Sequence, residues 1–141
     1  MADIYKKTKR SNIMSKISGK ETKPEILVRK FLFSQGFRFR KNDKRYAGKP
    51  DVVLPKYKTI IFIHGCFWHG HNCKAGKLPE TNQEFWRKKI SDNVIRDKTN
   101  IEQLQKLGWK VIVIWDCEIN TISKREAYFG ELIEKIADNI V

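Results

Sequence analysis

No apolar run in the 141 residues of this chain approaches the roughly 20 residues that a membrane-spanning helix needs. The opening MADIYKKTKR lacks the apolar stretch of a secretory leader, so a cytoplasmic protein is expected. No lipidation signal or basic amphipathic helix argues for a membrane surface. Cysteine is scarce, at three residues; an odd number beside histidines suits thiolates on a metal in a reducing compartment better than a disulfide framework. Acidic residues are the minority charge, 16 against 29 Lys and Arg, leaving a net charge of +13. An excess of that size in a globular chain points to nucleic acid rather than to an acidic small molecule. Internal repeats and long linkers are missing too, and the length is that of one domain.

The pattern of what is present divides the chain in two. Residues 1–20 are polar and basic without apolar period, and read as an arm that orders on a partner; residues 21–141 read as a single domain. Thr22 is placed as an N-cap, with Pro24 in the first turn and Ile26, Leu27, Phe31 and Leu32 on a helix that stops near Gln35 and Gly36. FRFRK (37–41) alternates as a half-exposed strand, DVVL (51–54) is a short strand, and TIIFI (59–63) has the composition of a strand buried on both faces. From about Asn82 to Leu107 the period is helical, with Ile90, Val94, Ile101 and Leu104 as the inward stripe. KVIVIW (110–115) reads as a second fully buried strand, and Ser123 with Glu126 as the capping box of a final helix to about Ile140. The predicted order is αβββαβα: an α/β protein with a mixed sheet and flanking helices. Restriction-endonuclease-like nucleases share that core order.

Chemistry concentrates in HGCFWHGHNC (64–73), which holds all three histidines and two of the three cysteines. Cys66, His71 and Cys73 form C-x4-H-x-C, and Cys117 follows the strand 110–115. If the two strands are neighbours, these four make a closed Cys3His set for a structural zinc; otherwise Cys117 is one more buried apolar residue. His64 ends the strand 59–63, where open α/β sheets present active groups and where histidines also serve as ordinary hydrogen bonders. Asp97 falls on the inward stripe of its helix, so it needs a partner, either a histidine that would then be an oriented base or one of the many Lys and Arg side chains. Asp51 opens a strand paired with the one that ends at His64, a place where Mg2+ is often held. Glu25 is a candidate second carboxylate for it, or else a favourable charge on the helix dipole.

These segments together resemble the very-short-patch-repair (Vsr) endonucleases. The similarity runs through RSNIMSKI (10–17), TKPEILVR (22–29), GKPDVVL (48–54), FIHGCFWHGHNC (62–73), EFWRKKISDNVIRD (84–97) and LGWKVIVIWDCE (107–118). The resemblance implies a DNA mismatch endonuclease that nicks double-stranded DNA 5′ of the thymine in a T·G mismatch, left when 5-methylcytosine is deaminated. It implies that Asp51 and the main-chain carbonyl of Ile63 bind catalytic Mg2+, with Glu25 near it through water. His69 becomes the water-activating base with Asp97 behind it, and His64 stands near the scissile phosphate. Cys66, His71, Cys73 and Cys117 become the ligands of structural Zn2+. Phe67, Trp68 and Trp86 become a wedge into the duplex, with Met14 entering from the other groove. Two departures are visible: Ile63 stands where the family has a hydroxyl-bearing residue, and no lysine follows Asp51 as in the wider nuclease pattern.

Residue pattern agrees with a wedge. Phe67 and Trp68 are consecutive, so both cannot follow one burial direction, and Trp86 lies off the stripe beside Arg87, Lys88 and Lys89. A DNA cytosine methyltransferase is the expected functional companion, and a single nicking site needs no more than a monomer. The competing reading is a zinc-stabilised DNA-binding module without catalysis. A ββα-metal nuclease would want a histidine further downstream, and none follows His71.

Overall fold

The computed structural model describes residues 22–137; the basic arm, Met14 and the chain beyond Ala137, where the last helix was expected to continue, lie outside them. The elements run α1 (Lys23–Ser34), β1 (Arg40–Lys41), β2 (Val52–Leu54), β3 (Thr59–His64), α2 (Gln83–Lys106), β4 (Lys110–Trp115) and α3 (Ile122–Ala137). Four strands form one mixed sheet in the order β1-β2-β3-β4. The first three pair antiparallel, and β4 runs parallel to β3 from Thr59 opposite Lys110 to His64 opposite Trp115. Helix α2 is the crossover that a parallel pair requires. No helix of the described residues is long and apolar enough to cross a membrane.

Side chains alternate across β3 as the pleat dictates. Ile61 and Ile63 join Val28 and Leu32 of α1 and Phe129, Leu132 and Ile136 of α3 in one core layer. Ile60 and Phe62 point the other way, toward Leu104 and Ile101 of α2. Because both faces are covered, all six residues of β3 are buried, as the continuous apolar run predicts.

β4 departs from the reading of a fully buried strand. Ile112 and Ile114 are buried while Val111 and Val113 are only partly so, since β4 is an outer strand and a single helix covers that face. FRFRK pairs over Arg40 and Lys41 alone. Phe37 instead closes the end of α1, its N–H donating to the Leu32 carbonyl, and enters the core.

The stripe of α2 also differs from expectation at one position. Val94 is 42% exposed, and Asn93 is the buried neighbour. This half of α2 packs on the loop that follows β3 rather than on the sheet. There the buried position goes to a side chain that can bond loop backbone: Asn93 Nδ2 donates to the Trp68 carbonyl at 2.9 Å.

Of the two expected cap residues, Thr22 is found in place and Ser123 is not. Thr22 occupies the cap position of α1 without a side-chain capping bond. Helix α3 is capped not by Ser123 but by Thr121, whose Oγ1 accepts the Lys124 N–H at 3.2 Å. Replacing Thr121 by Ala should therefore cost about 0.5–2 kcal/mol of stability. Ser123→Ala, at an exposed helical position, should stay within about 0.5 kcal/mol of the unaltered protein. Urea denaturation of the two variants checks the pair, and an equal loss in both would place the cap wrongly.

Candidate active site

The end of β3 and the end of β4 lie side by side, so the loop leaving His64 stands beside the short helical turn Asp116–Glu118 that leaves Trp115. The loop is wound by its own backbone: the His69 N–H donates to the Gly65 carbonyl, His71 to Cys66 and Cys73 to His71, at 2.9–3.2 Å. Its compactness brings Cys66, His71 and Cys73 to Cys117, with one donor atom of each within 4.8 Å of all the others. Cys117 Sγ is 3.5 Å from His71 Nδ1, and the His71 ring lies stacked on Trp115 at 4.2 Å. Burial and the neighbouring thiols push Cys117 up to about 12, and burial raises Cys66 as well. Neighbouring thiols held in this way resist ionising together unless a cation joins them. Such a donor set suits Zn2+.

Toward α2, the loop delivers His69 to Asp97, with Nδ1 to Oδ2 at 2.5 Å. Arg96 Nη2 reaches the other Asp97 oxygen at 3.7 Å, so both kinds of partner foreseen for this carboxylate are in place. The His64 and His69 rings stack at 3.8 Å, 5° from parallel. Burial, followed by the charge that His69 would carry, pushes His64 down to about 4 against the opposing pull of Asp97. His64, His69 and Asp97 are close enough to suggest a second metal set. Their geometry argues against it, because lone pairs lie in the ring planes and two parallel stacked imidazoles cannot aim theirs at one ion.

Asp51 sits one residue before β2, and its Oδ2 accepts the Ile63 N–H at 2.6 Å. Burial first, and then the charge of adjacent Glu25, raise it to about 7, against the Ile63 N–H and the Arg29 charge. Glu25 is buried in the first turn of α1, and its Oε2 has no hydrogen-bond partner. Two converging carboxylates, one with an orphaned oxygen, fit a divalent cation better than they fit each other. One cleft of about 380 Å³ is bordered by Glu25, Asp51, Ile63, His64, His69 and Asp97 together.

The aromatics collect on the far side of the loop. Phe67, Trp68 and Trp86 are in mutual edge contact, with ring centroids 5.2–5.8 Å apart. Phe67 and Trp86 are half-buried, while Trp68 is 51% exposed. Phe85, 60% exposed, extends the cluster at 5.0 Å from Trp86. Sequence reasoning passed over Phe85, although two adjacent aromatics had marked positions 67 and 68. It also passed over Arg29, four residues after Glu25 and therefore on the same helical face, and over Asn93 and Arg96.

Comparison with known proteins is decisive about descent. The profile of the family DNA mismatch endonuclease Vsr matches residues 2–75. The type II nicking enzyme V.NmeAIP of Neisseria meningitidis serogroup A is 55% identical over 140 residues, 99% of this chain and 100% of the relative. The type II nicking enzyme V.XorIIP of Xanthomonas oryzae pv. oryzae is 38% identical over 134 residues, 95% of this chain and 98% of the relative. The DNA mismatch endonuclease Vsr of Escherichia coli K12 is 44% identical over 119 residues, covering 84% of this chain and 76% of the relative. With a profile match over half its length and relatives of this identity along nearly all of it, the chain belongs to the DNA mismatch endonuclease Vsr family.

Proposed function

We propose that the protein nicks double-stranded DNA on the 5′ side of the thymine in T·G mismatches, the lesion left by deamination of 5-methylcytosine, and so starts very short patch repair. The observation that carries this reading is the His69–Asp97 contact, set in the same cleft as Asp51 and Glu25. A DNA-binding module without catalysis would have no use for an oriented imidazole beside paired carboxylates. The fold is read as restriction-endonuclease-like in the order αβββαβα, with residues 21–141 as the nuclease domain and 1–20, including Met14, as a DNA-binding arm. The reading makes the enzyme a cytoplasmic monomer that acts downstream of a DNA cytosine methyltransferase.

In this mechanism the Asp97 carboxylate accepts a hydrogen bond from the Nδ1–H of His69 and thereby fixes the tautomer that leaves the lone pair on Nε2. That nitrogen takes a proton from water attacking the phosphorus. His64, kept neutral by burial, stacks on His69, holds it in place and stands by the scissile phosphate. Asp51, the Ile63 carbonyl and, through water, Glu25 would hold Mg2+, whose charge would stabilise the charge developing on the phosphate. Cys66, His71, Cys73 and Cys117 would hold Zn2+ and keep the loop rigid. Rigidity matters because Phe67, Trp68 and Trp86 are to part stacked base pairs at a cost of a few kcal/mol.

Nicking of a T·G duplex and its matched counterpart, with Mg2+ and with chelator, tests the function directly. His69→Ala should lose at least about 10²–10⁴ in rate, and Asp97→Asn should resemble it while remaining folded. Asp51→Ala should abolish nicking with mismatch binding largely kept. Normal turnover by Asp97→Asn would reduce that carboxylate to a structural role.

Binding curves separate the aromatics from the core. Trp68→Ala and Trp86→Ala should each weaken mismatch binding by about 1–3 kcal/mol while leaving matched duplex affinity unchanged. Trp68→Ala should also melt as the unaltered protein does, since half of that side chain is already exposed. A variant that melts early and keeps its mismatch preference would rule out the wedge.

A further inference from the structure

Arg29 is as buried as the core around it, 7% exposed, and it borders the carboxylate end of the cleft. Its Nη2 lies 3.5 Å from Oε2 of Glu25, one helical turn earlier. The same nitrogen donates to the main-chain carbonyl of Asp51 at 3.0 Å and to Asn42 Oδ1 at 3.2 Å. One side chain thus ties α1 to the segment after β1 and to the start of β2. The fit is incomplete: Nε and Nη1 of Arg29 and Oε2 of Glu25 are buried without hydrogen bonds. Burying a guanidinium on those terms is unfavourable unless fixed negative charge offsets it. Glu25 supplies that charge and Asp51 adds to it when ionised; burial and the Glu25 charge raise Asp51 to about 7, and above that pH the two carboxylates repel each other unless a cation is near.

We infer that Arg29 is an internal counter-ion for the Glu25 and Asp51 pair, which keeps the pair assembled while no divalent cation is bound and opposes the cation when it arrives. Arg29 is a positioning residue in this role and touches no reacting atom. The consequence is an ordering of binding. The DNA-free protein holds a divalent cation weakly, and the phosphodiester brings the negative charge that outweighs Arg29. Cation and DNA then strengthen each other's binding by one common factor, as linkage requires. The inference rests on reading Asp51 and Glu25 as the Mg2+ site.

Mn2+ binding to the DNA-free protein, followed by the electron paramagnetic resonance of free Mn2+, tests it. Removing a unit charge so close to Glu25 should tighten binding by roughly ten-fold or more in Arg29→Met. Arg29→Lys, which keeps the charge, should bind about as the unaltered protein does. A purely structural Arg29 would give the opposite result, weaker Mn2+ binding as the site loosens, and equal or weaker binding by Arg29→Met overturns the inference. Should Arg29→Met not fold, the unaltered protein decides. Its Arg29 Nε–H resonance should move as Mg2+ is added, and an unmoved resonance sinks the idea. Asp51→Ala is the control on the underlying reading: if it binds Mn2+ as well as the unaltered protein, the cation site itself lies elsewhere.

Discussion

Six residue pairs of parallel ladder between β3 and β4, from Thr59 opposite Lys110 to His64 opposite Trp115, set where most of the candidate site stands. That register puts Cys117, two residues beyond Trp115, within reach of Cys66, His71 and Cys73. It also lays Trp115 against the His71 ring and in edge contact with His64. Strand side chains repeat every two residues, so a slip by one would turn Trp115 to the opposite face and separate the two histidines from it. The apolar faces of β3, packed between α1 and α3 on one side and α2 on the other, make such a slip costly. Core packing and site geometry are therefore one constraint.

The loop after β3 converts that constraint into chemistry. Within nine residues it offers a thiol and imidazole set to one side, His69 to Asp97, and an aromatic pair to solvent. Asn93 fastens its backbone from α2 at the carbonyl of Trp68, the exposed aromatic that directly precedes His69. On the other wall of the cleft, Asp51 is gripped from both ends, its carboxylate by the Ile63 N–H and its carbonyl by Arg29. Charges of both signs are buried here with some of their polar atoms unpartnered. In a domain whose total stability is of order 5–15 kcal/mol, that arrangement is a substantial cost to stability.

How much of this the sequence disclosed follows from the range of each interaction. The long apolar run of β3, the ends of α2 at Asn82 and Leu107, and the C-x4-H-x-C of Cys66, His71 and Cys73 are legible because composition and short spacing carry them, whereas Cys117 joins the set only through the pairing of β3 with β4. Asp97 stood out as a carboxylate on an apolar stripe, and its partners are both His69, 28 residues away, and the adjacent Arg96. Asn93 gave no signal, since an asparagine is buried only when a distant backbone group needs it. The half-exposure of β4 was equally hidden: KVIVIW is apolar enough for a central strand, and only the sheet order makes it an outer one. Arg29 was obscured by the abundance of cations, 29 in all, and its place one helical turn after Glu25 is the one local mark it carries.

In the proposed site, a metal held by Cys66, His71, Cys73 and Cys117 pins the loop that positions both His69 and the aromatic cluster. A zinc K-edge X-ray absorption spectrum of the purified, DNA-free protein tests it most directly. One zinc per chain is predicted, with three sulfur ligands at about 2.3 Å and one nitrogen at about 2.0–2.1 Å. A protein without zinc, or a zinc shell built from oxygen and nitrogen alone, would contradict it.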